Sequence, residues 1–326
     1  MIKKFTAFLL VLLLSAGLFS ACSDTPSEDG ELNIVCTVFP YYDWVKNITG
    51  DSENINITLL LDSGTDLHSY QPSAADIITI SSADIFIFTG GTSDSWVEDA
   101  LATSKNEETV VLEMMKNLPE DSLFCVEAIG EEEHIHEGEE HIHEGEEHNH
   151  HNDEHIWLSI KNAVKLSEII KNVIQDKDPG NKDKYQENFD VFRKKLDSLD
   201  KSFTEEIGKC SKDTVIFADR FPFIYLMNDY GLRYAAAFSG CSAESEASFE
   251  TVTRLAEKTD ELGLSYIVIT ETADGSIAET VRNATKNKNQ EILTLNAMQS
   301  VTKDKLGISY IEIMEENLKV ITTALS

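Results

Sequence analysis

Histidine is the residue whose placement in this chain most directly suggests chemistry. Seven of the nine histidines (His134, His136, His141, His143, His148, His150 and His151) lie between Glu131 and Glu154, where the unit EEHIHEG occurs twice. Imidazole is the commonest transition-metal ligand and suits zinc, copper, nickel and iron. Imidazoles interleaved with glutamates make a weak, multi-site metal-binding tract. A pH-sensing tract and a solvated acidic linker are the alternative readings. The stretch has almost no apolar content, so it cannot bury a core and is expected to be disordered over 131–154.

The other two histidines are isolated. His68 stands in SGTDLHSYQPSAADI, shortly after an apolar run ending at Leu61. Ligands of open α/β sheets bind beyond the C-terminal ends of strands, which is where such a histidine would lie. His155 opens HIWLSIKNAVKLSEII, in which Trp157 and Leu158 mark the return of ordered structure. His68 could also be an ordinary surface residue of its loop, and His155 simply the last histidine of the tract.

The elements that must position these residues fall into two sets. Asn33–Phe39, Ile55–Leu61, Asp84–Thr89 and Thr109–Leu112 form the first set of short apolar, β-rich runs. Thr214–Ala218, Arg233–Phe238, Tyr266–Thr270 and Ile292–Leu295 form the second. Near-continuous apolar strands alternating with helical patterns predict parallel sheets covered on both faces, hence an α/β chain of two lobes. Between the sets, Ala163–Gln175 reads as a helix broken at Asp178-Pro179-Gly180. A second helix follows from Lys184 to about Lys209, with Phe189, Phe192, Leu196, Leu199 and Phe203 as its apolar stripe. At about 25 residues it spans ~37 Å, enough to run along both lobes. The expected organisation is a leader over 1–22, a tether over 23–31, a first lobe over 32–180, a linking helix over 181–209 and a second lobe over 210–326.

The leader has Lys3 and Lys4 before an apolar run from Phe5 to Leu14, the pattern of a secretory signal peptide. Small residues then lead to Cys22, which resembles the lipidated cysteine of a bacterial lipobox. Ser23 to Glu31 is polar and acidic, as a flexible tether would be. Cys36, Cys125, Cys210 and Cys241 form no C-x-x-C pair, so a thiolate zinc knuckle is not expected. Disulfides or buried thiols remain open for all four. The net charge of −31 argues against a nucleic-acid partner, which needs clustered Lys and Arg. It suits a protein that attracts cations. There is no H-E-x-x-H, G-x-S-x-G or phosphate loop, so no enzyme is expected.

Asp66, His68, Ser69, Tyr70, Gln71 and Pro72, with Asp76 beyond, resemble the D-P-H-x-Y-x-P…D pattern of the zinc/manganese solute-binding lipoproteins of ABC importers. His155-Ile156-Trp157-Leu158 with Lys161-Asn162-Ala163 is similar to their H-x-W-L-D-P-x-N-A motif. Phe39-Pro40-Tyr41 and the stretch from Tyr310 to Leu318 also fit, so the likeness covers essentially the whole chain beyond the leader. It implies two α/β lobes joined by a rigid long helix, with the metal in the cleft and His68 and His155 as first-lobe ligands. It implies zinc as cargo, with manganese as the alternative. It further implies a lipid-anchored, extracytoplasmic monomer serving an ABC permease and its ATPase, or else a surface metal buffer or adhesin.

The second lobe departs from that pattern. Matching Pro222 to Tyr225 and Tyr230-Gly231-Leu232 without gaps places Arg220 where the family carries a histidine ligand. Arginine has no lone pair to give. Asp219, one residue away, is the substitute expected to offer a carboxylate, with Arg220 turned to pair with an acid. A helix cap or a salt bridge is the alternative role for Asp219. Gln299 falls where the family has its acidic fourth ligand. Glu271, after the run YIVIT, is a further candidate, as are Glu244 and Glu246, for which capping fits better.

Overall fold

The computed structural model of the protein describes residues 31–104, 106–125, 152–238, 240 and 247–326. The leader, Cys22, the seven clustered histidines, Cys241, Glu244 and Glu246 lie outside the described residues.

The first sheet comprises β1 (Leu32–Cys36), β2 (Ile55–Leu59), β3 (Ile85–Phe88) and β4 (Val110–Glu113), in the order β2-β1-β3-β4. The second comprises β5 (Thr214–Phe217), β6 (Arg233–Ala236), β7 (Tyr266–Thr270) and β8 (Glu291–Leu295), in the order β6-β5-β7-β8. Every pairing is parallel, and the two orders are the same pattern repeated. All four residues of β3 and all four of β5 are buried, as expected of interior strands covered on both faces. Strands β1, β2, β3, β5 and β6 are shorter than their apolar runs, β7 matches its run, β4 is shifted by one residue and β8 starts one residue earlier. The run from Asn33 leaves the sheet after Cys36 because Phe39–Thr49 forms helix α1, entered through Pro40 in its first turn.

Helices α2 (Ala74–Ser81), α3 (Val97–Leu101) and α4 (Ile160–Lys177) follow in the first half. Helix α4 starts three residues before the expected Ala163. Ser159 caps it, its hydroxyl accepting from the Asn162 amide at 3.0 Å. The 26-residue helix α5 (Lys182–Ile207) comes next, then α6 (Ile224–Asp229), α7 (Phe249–Glu261), α8 (Ser276–Ala284) and α9 (Tyr310–Ala324).

Helix α5 buries Tyr185, Phe189, Phe192, Leu196, Leu199 and Phe203 on one face. It packs against α4 and α1 of the first half and against the terminal α9. Each such side chain contributes about 1.5–3 kcal/mol of burial, so one helix ties both halves together. A second tie lies beside the sheets' C-terminal ends. Tyr41, Trp44, Trp157 and Tyr310 meet edge to face with ring centroids 5.5 to 6.3 Å apart. The Trp157 indole N–H donates to the Ala297 carbonyl at 2.9 Å, and the Tyr310 hydroxyl donates to the Trp157 carbonyl at 2.7 Å. Cys36, Cys125 and Cys210 are free thiols. Among the described residues no helix is long and apolar enough to cross a membrane.

Candidate metal centre

His68 sits on a single 3-10 turn, Leu67–Ser69, just past β2. Asp66 starts that turn, its Oδ1 accepting from the His68 amide at 2.9 Å. The imidazole Nδ1 lies 2.7 Å from Ser93 Oγ. Ser93 belongs to the loop that leaves β3, and buried carboxylates shape that loop. Asp94 Oδ2 accepts from the Thr89 and Gly90 amides, each at 2.9 Å. Glu154 Oε1 accepts from Thr92 Oγ1 at 2.8 Å and from the Ser93 amide at 3.0 Å. Burial pushes the Asp94 carboxyl up to about 7, with the neighbouring Glu154 charge adding to the rise and the two amides opposing it.

His155 is only 1% exposed. Its backbone N–H and its Nδ1 both reach Asp153 Oδ1 at 2.9 Å. A carboxylate only accepts, so Nδ1 carries the proton and Nε2 is left with its lone pair. Ser93 Oγ can fix His68 in the same tautomer. The two Nε2 atoms then face each other at 3.2 Å. Zinc binds nitrogen at about 2.0–2.1 Å in tetrahedral geometry, which puts two ligand nitrogens about 3.3 Å apart. The spacing therefore suits two nitrogens on one ion, each imidazole oriented from behind.

The second-lobe candidates are placed differently from expectation. Asp219 Oδ2 accepts from both the amide and the hydroxyl of Thr270, so this carboxylate closes the end of β7. Glu271 accepts from the Ala297 amide at 2.8 Å and the Gln299 amide at 3.3 Å. It braces the turn after β8, in which Met298 holds φ of 59°, a backbone region costly for a side chain. Burial raises the Glu271 carboxyl, and the Asp66 charge adds to that. Gln299 is buried within the same turn. Among the described residues no three His, Cys, Asp or Glu side chains converge on a point that could hold a metal ion. The structure thus brings His68 and His155 together but does not add Asp219 or Glu271 to them. Asp219 Oδ2 is held by Thr270 and the Glu271 carboxylate by two backbone amides, all within their own lobe.

Arg220 does turn to an acid, with Nη1 3.5 Å from Asp66 Oδ2. Asp66, Ser69, Asp219, Arg220, Thr272 and Asp274 line a cavity of about 350 Å³ at this junction. The expected disorder over 131–154 extends too far at its end. Asp153 and Glu154 are buried, because they orient His155 and the Ser93 loop. Ser93, Asp153 and Glu154 are site residues not expected from the sequence, where their only signals are the stretch GGTSDS directly after a strand and two acids directly before a histidine.

A family model described as zinc-uptake complex component A, periplasmic, matches residues 34–324. The chain is 33% identical over 318 residues to the zinc-binding lipoprotein AdcA of Streptococcus pneumoniae, covering 96% of this chain but only 60% of that protein. It is 30% identical over 332 residues to the high-affinity zinc uptake system protein ZnuA of Bacillus subtilis, covering 100% of this chain and 99% of that one. In structure it resembles the Zn(II)-bound ZnuA-like domain of S. pneumoniae AdcA, with a TM-score of 0.69 and 28% identity over 91% of this chain and 99% of that domain. The first of these relatives is thus named for zinc binding and the second for high-affinity zinc uptake. From Ile34 to Ala324, the chain belongs to the family of periplasmic A components of zinc-uptake complexes.

Proposed function

We propose that this protein captures zinc with high affinity in the cleft between its lobes, through His68 and His155, and delivers it to a membrane ABC permease. The face-to-face Nε2 atoms, 3.2 Å apart, carry this reading. Imidazole donors favour zinc over manganese, which prefers oxygen. Lipidation at Cys22 would hold the protein as a monomer at the outer face of the membrane, beside the permease. The seven clustered histidines would raise the local zinc concentration without defining selectivity. The named relatives, a zinc-binding lipoprotein and a high-affinity zinc uptake protein, support the same direction.

The test is calorimetric titration of zinc into a variant lacking residues 131–152. His68→Ala and His155→Ala should each remove the tight binding while the circular dichroism spectrum stays as in the parent. Unchanged affinity in both single variants would sink the assignment.

A further inference from the structure

Arg220 and Tyr225 stand five positions apart in one second-lobe segment, after β5. Both reach the first lobe: Arg220 meets Asp66, which caps the turn that carries His68, and Tyr225 meets Asp153, which orients the His155 imidazole. Arg220 Nη1 lies 3.5 Å from Asp66 Oδ2, while Asp66 Oδ1 holds the His68 amide at 2.9 Å. The Tyr225 hydroxyl donates to the Asp153 carbonyl at 2.7 Å, while Asp153 Oδ1 holds His155 at both its amide and its Nδ1. Tyr225 and Asp153 are 1% and 2% exposed, so their bond lies in a dry environment where hydrogen bonds are strong. Phe124 reinforces this contact. Its carbonyl accepts from the Asp153 amide at 2.7 Å, and its ring packs on Tyr225 with centroids 5.2 Å apart.

We propose that Arg220 and Tyr225 are positioning residues, a pair of clamps by which the second lobe holds both metal-binding histidines in their converging geometry. This rests on the functional reading above. Its consequence is that affinity depends on lobe position. A displacement of the segment Arg220–Tyr225 away from the first lobe loosens Asp66 and Asp153 together, and both imidazoles lose their fixed orientation. Metal is then released by separating the lobes, with no competing ligand needed. The arginine at this position is therefore a working part of the site and not an empty ligand place.

The test uses the full chain and zinc or cobalt(II) as probe. Affinity of the tightest site is measured against a competing chelator, and release is followed by stopped flow. Partners behind a ligand typically carry 10–100-fold in metal affinity. Arg220→Gln and Tyr225→Phe should each weaken binding by about tenfold, through faster release, and the double variant should lose about a hundredfold. Asp66→Asn combined with Arg220→Gln should be no weaker than Asp66→Asn alone, because both break one clamp. Arg220→Lys should recover part of the loss. The cobalt(II) absorption bands should change in both single variants, which a loss of stability alone does not produce. Arg220 is partly exposed, at 32%, so its substitution leaves the core intact. Wild-type affinity and release rate in both variants would overturn the clamps, as would tighter binding in Arg220→Gln. Failure of the unmodified protein to bind zinc would instead overturn the functional reading itself.

Discussion

Gly91 offers the sharpest test of how the first lobe builds the site. It holds φ of 86°, and a Cβ placed there would stand 2.5 Å from Glu154 Oε1, 2.7 Å from its Cγ and 2.8 Å from its Cδ. Gly91→Ala therefore carries two costs. Left-handed backbone costs a residue with a side chain about 1–2 kcal/mol. The Glu154 side chain must also move, and it is buried while accepting from Thr92 and Ser93. A hydrogen bond to a charged group is worth about 1.5–3 kcal/mol, so losing one brings the total to about 3–5 kcal/mol. Gly231 is the control. It holds φ of 65°, and a methyl group added there would meet nothing within 4 Å, so Gly231→Ala should cost only about 1–2 kcal/mol. Urea unfolding of the zinc-free proteins reads the difference as a shift in midpoint at constant slope. Displacing Glu154 also shifts Ser93, which holds His68, so zinc affinity should fall about tenfold or more in Gly91→Ala alone. Equal destabilisation in the two variants, with zinc binding unchanged in both, would refute the reasoning.

Two further outcomes are expected. Burial pushes the Asp94 carboxyl up to about 7 in the folded protein, above its ordinary value of 3.8. The native state therefore binds the extra proton between those values, and stability from this group rises as pH falls from about 7 towards 4. Relative to Asp94→Asn, the zinc-free parent should gain stability between pH 7.5 and pH 5 in urea unfolding, and a change in the opposite direction would contradict the assignment. Zinc stoichiometry should exceed one per chain at neutral pH and drop to about one on deletion of 131–152, with the excess binding fading below about pH 6.5 as imidazoles protonate. Loss of the tightest site in that deletion would make the clustered histidines the primary ligands.

Much of this protein was already decided along the chain. Short, near-continuous apolar runs rich in β-branched and aromatic residues, such as IFIF and TVIF, point to strands covered on both faces, so two parallel sheets were expected from local pattern. The stripe from Phe189 to Phe203 demanded a long amphipathic helix, because only a 3.6-residue period puts those rings on one face. His68 and His155 were legible as candidates because each lies in a motif next to an ordered element. Side-chain partners across long sequence separations were not legible. Asp219 and Glu271 carry the right chemistry for ligands, yet Asp219 Oδ2 accepts from the amide and hydroxyl of Thr270, and Glu271 accepts from the Ala297 and Gln299 amides. Ser93 and Asp153 had only weak local signals, and their role comes from folding, which sets them behind the imidazoles. The arginine at position 220 shows the same division. Its type, read alone, removed a ligand from the second lobe. Only the packing of β5's exit against the His68 turn set that charge beside Asp66, because ion pairing depends on distance in space and not on spacing in sequence.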